Sequence, residues 1–260
     1  KLVEKFGNER VFDVPTSENS LTGIGLGLSL GGHSVLMMHQ RTDFFLLAFD
    51  QLINSISKWN YIFDGNSGNV NITIRLIVGR GWGQGPTHSQ NLQSIFSHFP
   101  GLKVVMPTTP YDAKGLLTSA LRDPNPVIFL EHRWLHNSIG DIPPGDYRVP
   151  LGKAATINSG TDITIVSSSY MLIEAIHASN YLKDKNISCD LIDLRTIKPI
   201  DWLTISKSIK KTGRLLVVDS GFTTGSISGE IISGVLDKNW NDFKCVPQRL
   251  AMPDVPEPTS

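Results

Sequence analysis

Residues 72–78, Ile72-Thr73-Ile74-Arg75-Leu76-Ile77-Val78, run without a break into Gly79-Arg80-Gly81-Trp82-Gly83-Gln84-Gly85. A largely apolar, β-branched run that stops at glycines reads as a strand covered on both faces, the kind found inside parallel sheets flanked by helices. Glycines at its carboxyl end let backbone approach a ligand closely, and open parallel sheets place ligands there.

Outward from this strand the same alternation repeats. Before it, Val11-Phe12-Asp13-Val14 reads as a short strand ending at Pro15, Gly23–Leu30 as a small-residue helix, His33–Met38 as a strand and Phe45–Lys58 as an amphipathic helix. After it come a strand at Lys103–Met106, a helix at Tyr111–Leu121 and a strand at Pro126–Leu130. Ile142-Pro143-Pro144-Gly145-Asp146 has the composition of an interdomain connection. The pattern then restarts: strand Asp162–Ser167, helix Met171–Lys183, strand Cys189–Leu194, helix Ile200–Lys211, strand Arg214–Asp219 and helix Gly229–Val235. Strands alternating with helices predict an α/β chain of two parallel-sheet α/β/α domains, with expected bounds 1–141 and 151–260 joined by a linker at 142–150.

The bulk properties agree with packed cores: 40% of the 260 residues are hydrophobic and only 18% charged. Lys plus Arg and Asp plus Glu each number 24, so no electrostatic pull toward nucleic acid or an anionic membrane is expected. Zero net charge also solubilises a chain weakly, which suits a surface partly covered by other subunits. The two cysteines, Cys189 and Cys245, are far apart and have no metal-spaced partners, so a reducing compartment is expected. No apolar run is long enough to span a bilayer.

Few residues carry chemistry on spacing alone. Glu18 lies between the expected strand end at Pro15 and the small-residue helix; it reads either as a ligand-facing carboxylate or as a helix cap. His88, in Pro86-Thr87-His88-Ser89-Gln90, is either a proton-transfer group near neutral pH or a histidine bonded to backbone. The glycine-rich loop lacks the Lys-Ser/Thr of a phosphate loop. His132 and His136 have i, i+4 spacing that suits a metal pair on a helix, but no third ligand is apparent. His33, His39, His98 and His177 read as structural.

Taken in order, several segments resemble the β subunit of the decarboxylating component of 2-oxo acid dehydrogenase complexes, within the transketolase-like superfamily. They are residues 10–18, Asp50–Ser55, Thr87-His88-Ser89-Gln90, Pro100–Pro107, Asp112–Leu117, Asp193–Pro199 and Pro253-Asp254-Val255-Pro256. The resemblance implies a transketolase-like pyrimidine-binding domain, lacking the family's opening segment before Lys1, and a transketolase C-terminal-type domain with a short tail. It implies thiamine diphosphate with Mg²⁺ as cofactor. Glu18 matches the glutamate that hydrogen-bonds the aminopyrimidine and favours the imino tautomer that takes the thiazolium proton. Phe44 matches the aromatic stacked on that ring, Gln40 a cofactor-contacting glutamine, and His88 the histidine beside the reacting carbon. A structural potassium site is implied at Ile72, Ala120, Leu121, Asp123 and Asn125, although Asp123-Pro124-Asn125-Pro126 also reads as a plain turn.

The family's GDG motif with a distant Asn, which ligates the Mg²⁺ and so grips the diphosphate, has no counterpart here. The resemblance therefore implies an α-type partner chain carrying that motif, a β–β contact in a heterotetramer, a lipoyl acyltransferase as acceptor and a small 2-oxo acid substrate. No nucleic acid or membrane partner is expected, and the compartment is the cytoplasm, or the mitochondrial matrix in a eukaryote. Two rival functions stand beside this one: a split transketolase-like carboligase moving a two-carbon unit, and a non-catalytic partner subunit. Arg41-Thr42-Asp43 and the bulky, basic loop Gly79–Gly85 depart from the family pattern close to the implied pocket. Arg41 or Arg80 reads either as a fork for a substrate carboxylate or phosphate or as a surface arginine.

Overall fold

The computed structural model describes every residue except Ser67, Trp82 and Ser260. The first half contains α1 (Leu2–Phe6), α2 (Glu18–Leu30), β1 (Val35–His39), α3 (Thr42–Phe45), α4 (Trp59–Ile62), β2 (Ile72–Val78), α5 (Gln93–His98), β3 (Lys103–Val105), α6 (Pro110–Ala120) and β4 (Val127–His132). The second contains β5 (Ala155–Asn158), β6 (Ile163–Ser167), α7 (Tyr170–Lys183), β7 (Cys189–Asp193), β8 (Thr196–Lys198), α8 (Trp202–Thr212), β9 (Leu215–Phe222), α9 (Ile227–Asn239) and β10 (Gln248–Met252).

The strands form two five-stranded sheets, ordered β1-β2-β4-β3-β8 and β10-β9-β6-β7-β5. Each is parallel except for one edge pairing, β8 against β3 and β5 against β7. β2 sits between β1 and β4, and its apolar side chains are buried on both faces, as its unbroken β-branched run requires. α2 lies close on that sheet because it is built from small residues: a Cβ on Gly25 would come within 2.8 Å of Met37 Sδ. Local signals set other helix ends. Thr109 caps α6 by accepting from Asp112 N, with Pro110 in the first turn; Asp201 caps α8, which closes on left-handed Gly213.

β8 belongs by sequence to the second half yet completes the first sheet. Around it the halves are tied by polar bonds. Lys198 Nζ donates to the carbonyls of Ser97 and Phe99 (2.7 and 2.6 Å), and Arg195 pairs with Asp112 at 2.9 Å. Gln93 Nε2 donates to Asp219 Oδ1 at 2.8 Å.

Two expected elements differ. Residues 11–14 form no strand: Phe12 and Val14 are exposed, and apolar alternation without a neighbouring strand has nothing to pair with. The helix expected over 45–58 is a relay of α3, a 3₁₀ turn at Leu46–Ala48, a π-helical turn at Gln51–Ile56 and α4. Within it Ser57 N bonds Leu52 O, five residues back, and such wide turns gather near functional sites.

Candidate active site

The site residues converge on the carboxyl ends of β1 and β2. Glu18 is not on a loop, as its place after Pro15 suggested, but is the first residue of α2, preceded by Ser17, whose side chain makes no cap bond. It is half-buried, and its charge acts on His39, the last residue of β1. Burial pulls the His39 imidazole below its ordinary pKa, and the Glu18 charge opposes that pull. His39 packs edge-on against Phe45 at 4.8 Å, and its buried Nε2 has no partner among the described residues. His39, read from sequence as structural, thus lies with that nitrogen buried at a parallel strand's carboxyl end, within reach of the Glu18 charge.

The next residues divide their work by alternation. Gln40 is exposed. Arg41 is buried and donates to Gly79 O at 2.8 Å and to the Gln84 side chain; it is neither a surface arginine nor open to a substrate, but a staple across the glycine loop. Thr42 Oγ1 donates to Ile77 O, fixing α3 to β2. Asp43 Oδ1 accepts from both the amide and the side chain of Gln90. Phe44, 41% exposed, meets His88 edge-to-face with ring centroids 5.1 Å apart.

His88 is half-buried, and its Nδ1 shares a hydrogen bond with Thr87 Oγ1 at 2.8 Å. No hydrogen bond from the described residues occupies its Nε2. The loop is fixed again three residues on. Asn91 Nδ2 donates to Glu257 Oε1 at 2.8 Å, a buried contact between residues 166 apart in sequence. Burial pushes the Glu257 carboxyl up, against the pull of that hydrogen bond and of Arg80. Thr259 from the same segment lies beside Gly83 and Gly85. Asn91 and Glu257 carried no motif and were missed, and Asp43 and Gln90, though inside stretches singled out in the sequence, had no role assigned.

Phe44 and His88 thus touch, and Glu18 acts on His39 at the end of β1, the strand that leads to Phe44. A free half-buried carboxylate, an accessible aromatic face and an imidazole suit the acceptor and stacking needs of an aminopyrimidine. Among the described residues, no group of three or more His, Cys, Asp or Glu could hold a metal ion.

The histidine metal pair is not formed. His132 ends β4 rather than standing on a helix, accepts from Trp134 N and stacks on Tyr170 at 5.0 Å. Burial and the nearby Arg80 hold its pKa down at about 3, so it is neutral at physiological pH, while His136 Nδ1 is engaged by Arg133. The residues of the implied potassium site form a turn closed by protein groups. Asp123 Oδ2 pairs with Lys103 at 2.5 Å, Asp123 Oδ1 accepts from Asn125, and Leu121 O accepts from Ser34. Ala120 O accepts from Asp123 N, and Ile72 is buried in β2. No helix among the described residues is long and apolar enough to cross a membrane.

Family models match both halves: the transketolase pyrimidine binding domain over residues 1–137 and the transketolase C-terminal domain over 152–260. The chain is 38% identical over 259 residues to the 2-oxoisovalerate dehydrogenase subunit beta 2, mitochondrial, of Arabidopsis thaliana, covering 99% of this chain and 72% of that protein. It is 37% identical to the acetoin:2,6-dichlorophenolindophenol oxidoreductase subunit beta of Cupriavidus necator, covering 100% of this chain and 76% of that one. It is 40% identical to the pyruvate dehydrogenase E1 component subunit beta of Gracilaria tenuistipitata var. liui, covering 99% and 79%. A solved structure titled "Split gene transketolase, inactive beta4 tetramer" superposes with a TM-score of 0.80 at 23% identity, covering 97% of this chain and 78% of that one; at that identity the likeness speaks for the fold.

Proposed function

Because this chain belongs to the family of β subunits of 2-oxo acid dehydrogenases, built from transketolase pyrimidine-binding and C-terminal domains, we propose that it supplies the pyrimidine half of a thiamine-diphosphate site completed by an α chain. The observation that carries this reading is the grouping of Glu18, His39, Phe44 and His88 at one end of the first sheet. The dependence on thiamine diphosphate is the family's. The domain bounds 1–141 and 151–260 with a linker at 142–150, and the roles of individual residues, are our assignment.

When bound, the cofactor supplies a carbon nucleophile that adds to the 2-oxo group and accepts the charge left as carbon dioxide departs. Glu18 accepts a hydrogen bond from the pyrimidine ring, and His39, its buried Nε2 without a partner among the described residues, lies within reach of that carboxylate's charge. Phe44 offers its face to the ring. Gln40, exposed one residue beyond β1, contacts the cofactor's edge. His88, oriented through Thr87, holds or delivers a proton at Nε2, with Phe44 limiting its rotation.

An α chain carrying the GDG motif would bring the Mg²⁺-diphosphate grip. The surface near the site supports a partner. β1 is an edge strand whose outward Leu36 and Met38 are exposed, and Ile24, Leu28, Leu46 and Leu47 add exposed apolar side chains from α2 and the 3₁₀ turn. Apolar exposure of this extent marks an interaction face. A lipoyl acyltransferase as acceptor and β–β pairing complete the assignment. A potassium ion at the Ala120–Asn125 turn would reinforce a turn that protein groups already close.

The deciding experiment co-expresses the chain with its GDG-bearing α chain and compares wild type with Glu18→Gln. The variant is expected to fold and assemble, to lose exchange of the thiazolium C2 proton followed by NMR, and to lose 2-oxo acid turnover with an artificial electron acceptor. Unchanged exchange and turnover in the variant would refute the assignment.

A further inference from the structure

Arg80 is the charged group of the pocket that the reading above leaves unused. Arg80 is half-buried, and its guanidinium donates no hydrogen bond to the described residues and forms no ion pair with them. It lies instead over the indole of Trp134, 5.2 Å from the ring centroid. A guanidinium taken partly out of water without an anion forgoes the interaction it makes best, a forked pair of N–H bonds to a carboxylate or phosphate.

The backbone is built to aim it there. β2 and β4 are parallel neighbours with Val78 opposite His132, so residues 79–81 and 132–134 leave the sheet side by side. Gly79 has φ +81°, and a Cβ on it would lie 2.1 Å from His132 Nε2. A Cβ on Gly81 would lie 2.6 Å from the Arg133 stem. Only glycine allows both approaches, and with both made, the side chain between them crosses Trp134. That ring is braced by Tyr170 from the second half, edge-on at 4.7 Å, and Tyr170 in turn stacks on His132. Arg41 staples Gly79 from beneath, and Gly79 N bonds Gln90 O, two residues after His88. The surroundings are electropositive: Arg80, His136 and Arg41 all act to keep His132 unprotonated. Glu257 is near enough to feel Arg80 but spends its hydrogen bond on Asn91.

We propose that Arg80, on its Trp134 shelf, receives an anionic group, carboxylate or phosphate, at the end of the substrate remote from the 2-oxo acid. This rests on the dehydrogenase reading for its reaction, not for its anion. The remote end is chosen on chemical grounds. The carboxylate beside the oxo group must shed its charge as carbon dioxide leaves, and an arginine gripping it would stabilise the ground state more than the transition state. A distal anion keeps its charge throughout, so binding it positions the oxo group at no such cost.

Two arms test the proposal on the full chain with its α partner, using wild type, Arg80→Gln and Arg80→Lys. In calorimetric titrations, glutarate or inorganic phosphate should bind wild type, and Arg80→Gln should weaken binding about 10- to 100-fold. Arg80→Lys should fall between, because it keeps the charge and loses the fork. In turnover, kcat/KM for 2-oxoglutarate over 2-oxovalerate, and for phosphohydroxypyruvate over hydroxypyruvate, separates a carboxylate from a phosphate. One ratio should exceed 10 in wild type and collapse toward 1 in Arg80→Gln. Equal anion affinity in wild type and Arg80→Gln, or wild-type ratios near 1 for both pairs, would overturn the proposal. If no 2-oxo acid turns over, the dehydrogenase reading fails, and the titrations still decide whether Arg80 binds anions.

Discussion

Asp193 closes β7 against the first half of the chain, and replacing it with Asn should change how stability depends on pH. The side chain is fully buried. Its Oδ1 accepts from Arg195 N at 3.0 Å, and Oδ2 has no partner among the described residues. Burial, and then the charge of Asp112, push its carboxyl up to about 7 from an ordinary 3.8. Between those values the folded chain holds a proton that the unfolded chain releases, so the contribution of Asp193 to stability falls as pH rises through that window and is flat above it. The gap of about three decades, at roughly 1.4 kcal/mol each, amounts to about 4 kcal/mol. Asn keeps the acceptor for Arg195 N and never ionises. Urea unfolding of wild type and Asp193→Asn should therefore differ in pH slope. The variant should gain on wild type by about 3 kcal/mol between about pH 5 and about pH 7.5. Taking the difference between the two proteins cancels the titrating groups that do not interact with Asp193. Parallel stability profiles across that range would show that Asp193 ionises normally and that the reasoning from its burial fails.

Gly79→Ala should cost roughly 2–4 kcal/mol by chemical denaturation, since it combines left-handed strain with a clash into His132; a cost below about 1 kcal/mol would mean the loop does not press on that ring. Glu257→Leu should leave the Asn91 amide without its buried acceptor, speed amide exchange across residues 84–91 and lower turnover. Glu257→Gln keeps an acceptor oxygen and should restore both; equal exchange in all three proteins would remove Glu257 from the loop's support. Replacing sodium with potassium at fixed ionic strength should raise the unfolding midpoint, and Asp123→Asn should erase the difference. Equal midpoints in the two salts for wild type would remove potassium from the turn.

The legible parts of this molecule were those whose cause is local. β2 could be read because an uninterrupted β-branched run ending in glycine has few other places to go, and α6 because Thr109, Pro110 and Asp112 spell a helix start within one turn. Residues 11–14 misled because alternation states only that a strand is permitted; pairing depends on a neighbour. β8 was invisible for the converse reason. Three residues, Thr196-Ile197-Lys198, have little strand signal of their own, and their place is set by β3 and by the Lys198 ammonium on two distant carbonyls. At the site, Glu18, Phe44 and His88 were legible through family resemblance. Asp43, Asn91 and Glu257 were not, because each acts on a residue tens to hundreds of positions away. Arg41 was left between a fork for a substrate anion and a surface group; here two acceptors from one glycine loop compensate its burial.

These long-range contacts bear on how the pocket works as a unit. Glu18, His39 and Phe44 gather at the end of β1, with His88 against Phe44, and Trp134 follows β4 with Arg80 over it; β2, which leads into the glycine loop, lies between those strands. The loop between them is held by Arg41 at Gly79 and Gln84, by Gln90 O at Gly79 N and by Thr259 beside Gly83 and Gly85. Gly79 is bonded through its carbonyl to Arg41, which follows β1, and through its amide to Gln90, two residues after His88, so the segment that carries His88 and the loop that carries Arg80 share one support. The consequence is that zero net charge conceals a divided pocket, with acidic and aromatic groups where a ring would bind and guanidinium where an anion would. A chain so arranged can hold a substrate by its far end while its near end meets the cofactor, provided the loop stays fixed. Loosening that loop should therefore impair turnover of anionic and neutral substrates together, whereas changing Arg80 alone should lower turnover of the anionic substrate and spare that of its neutral counterpart.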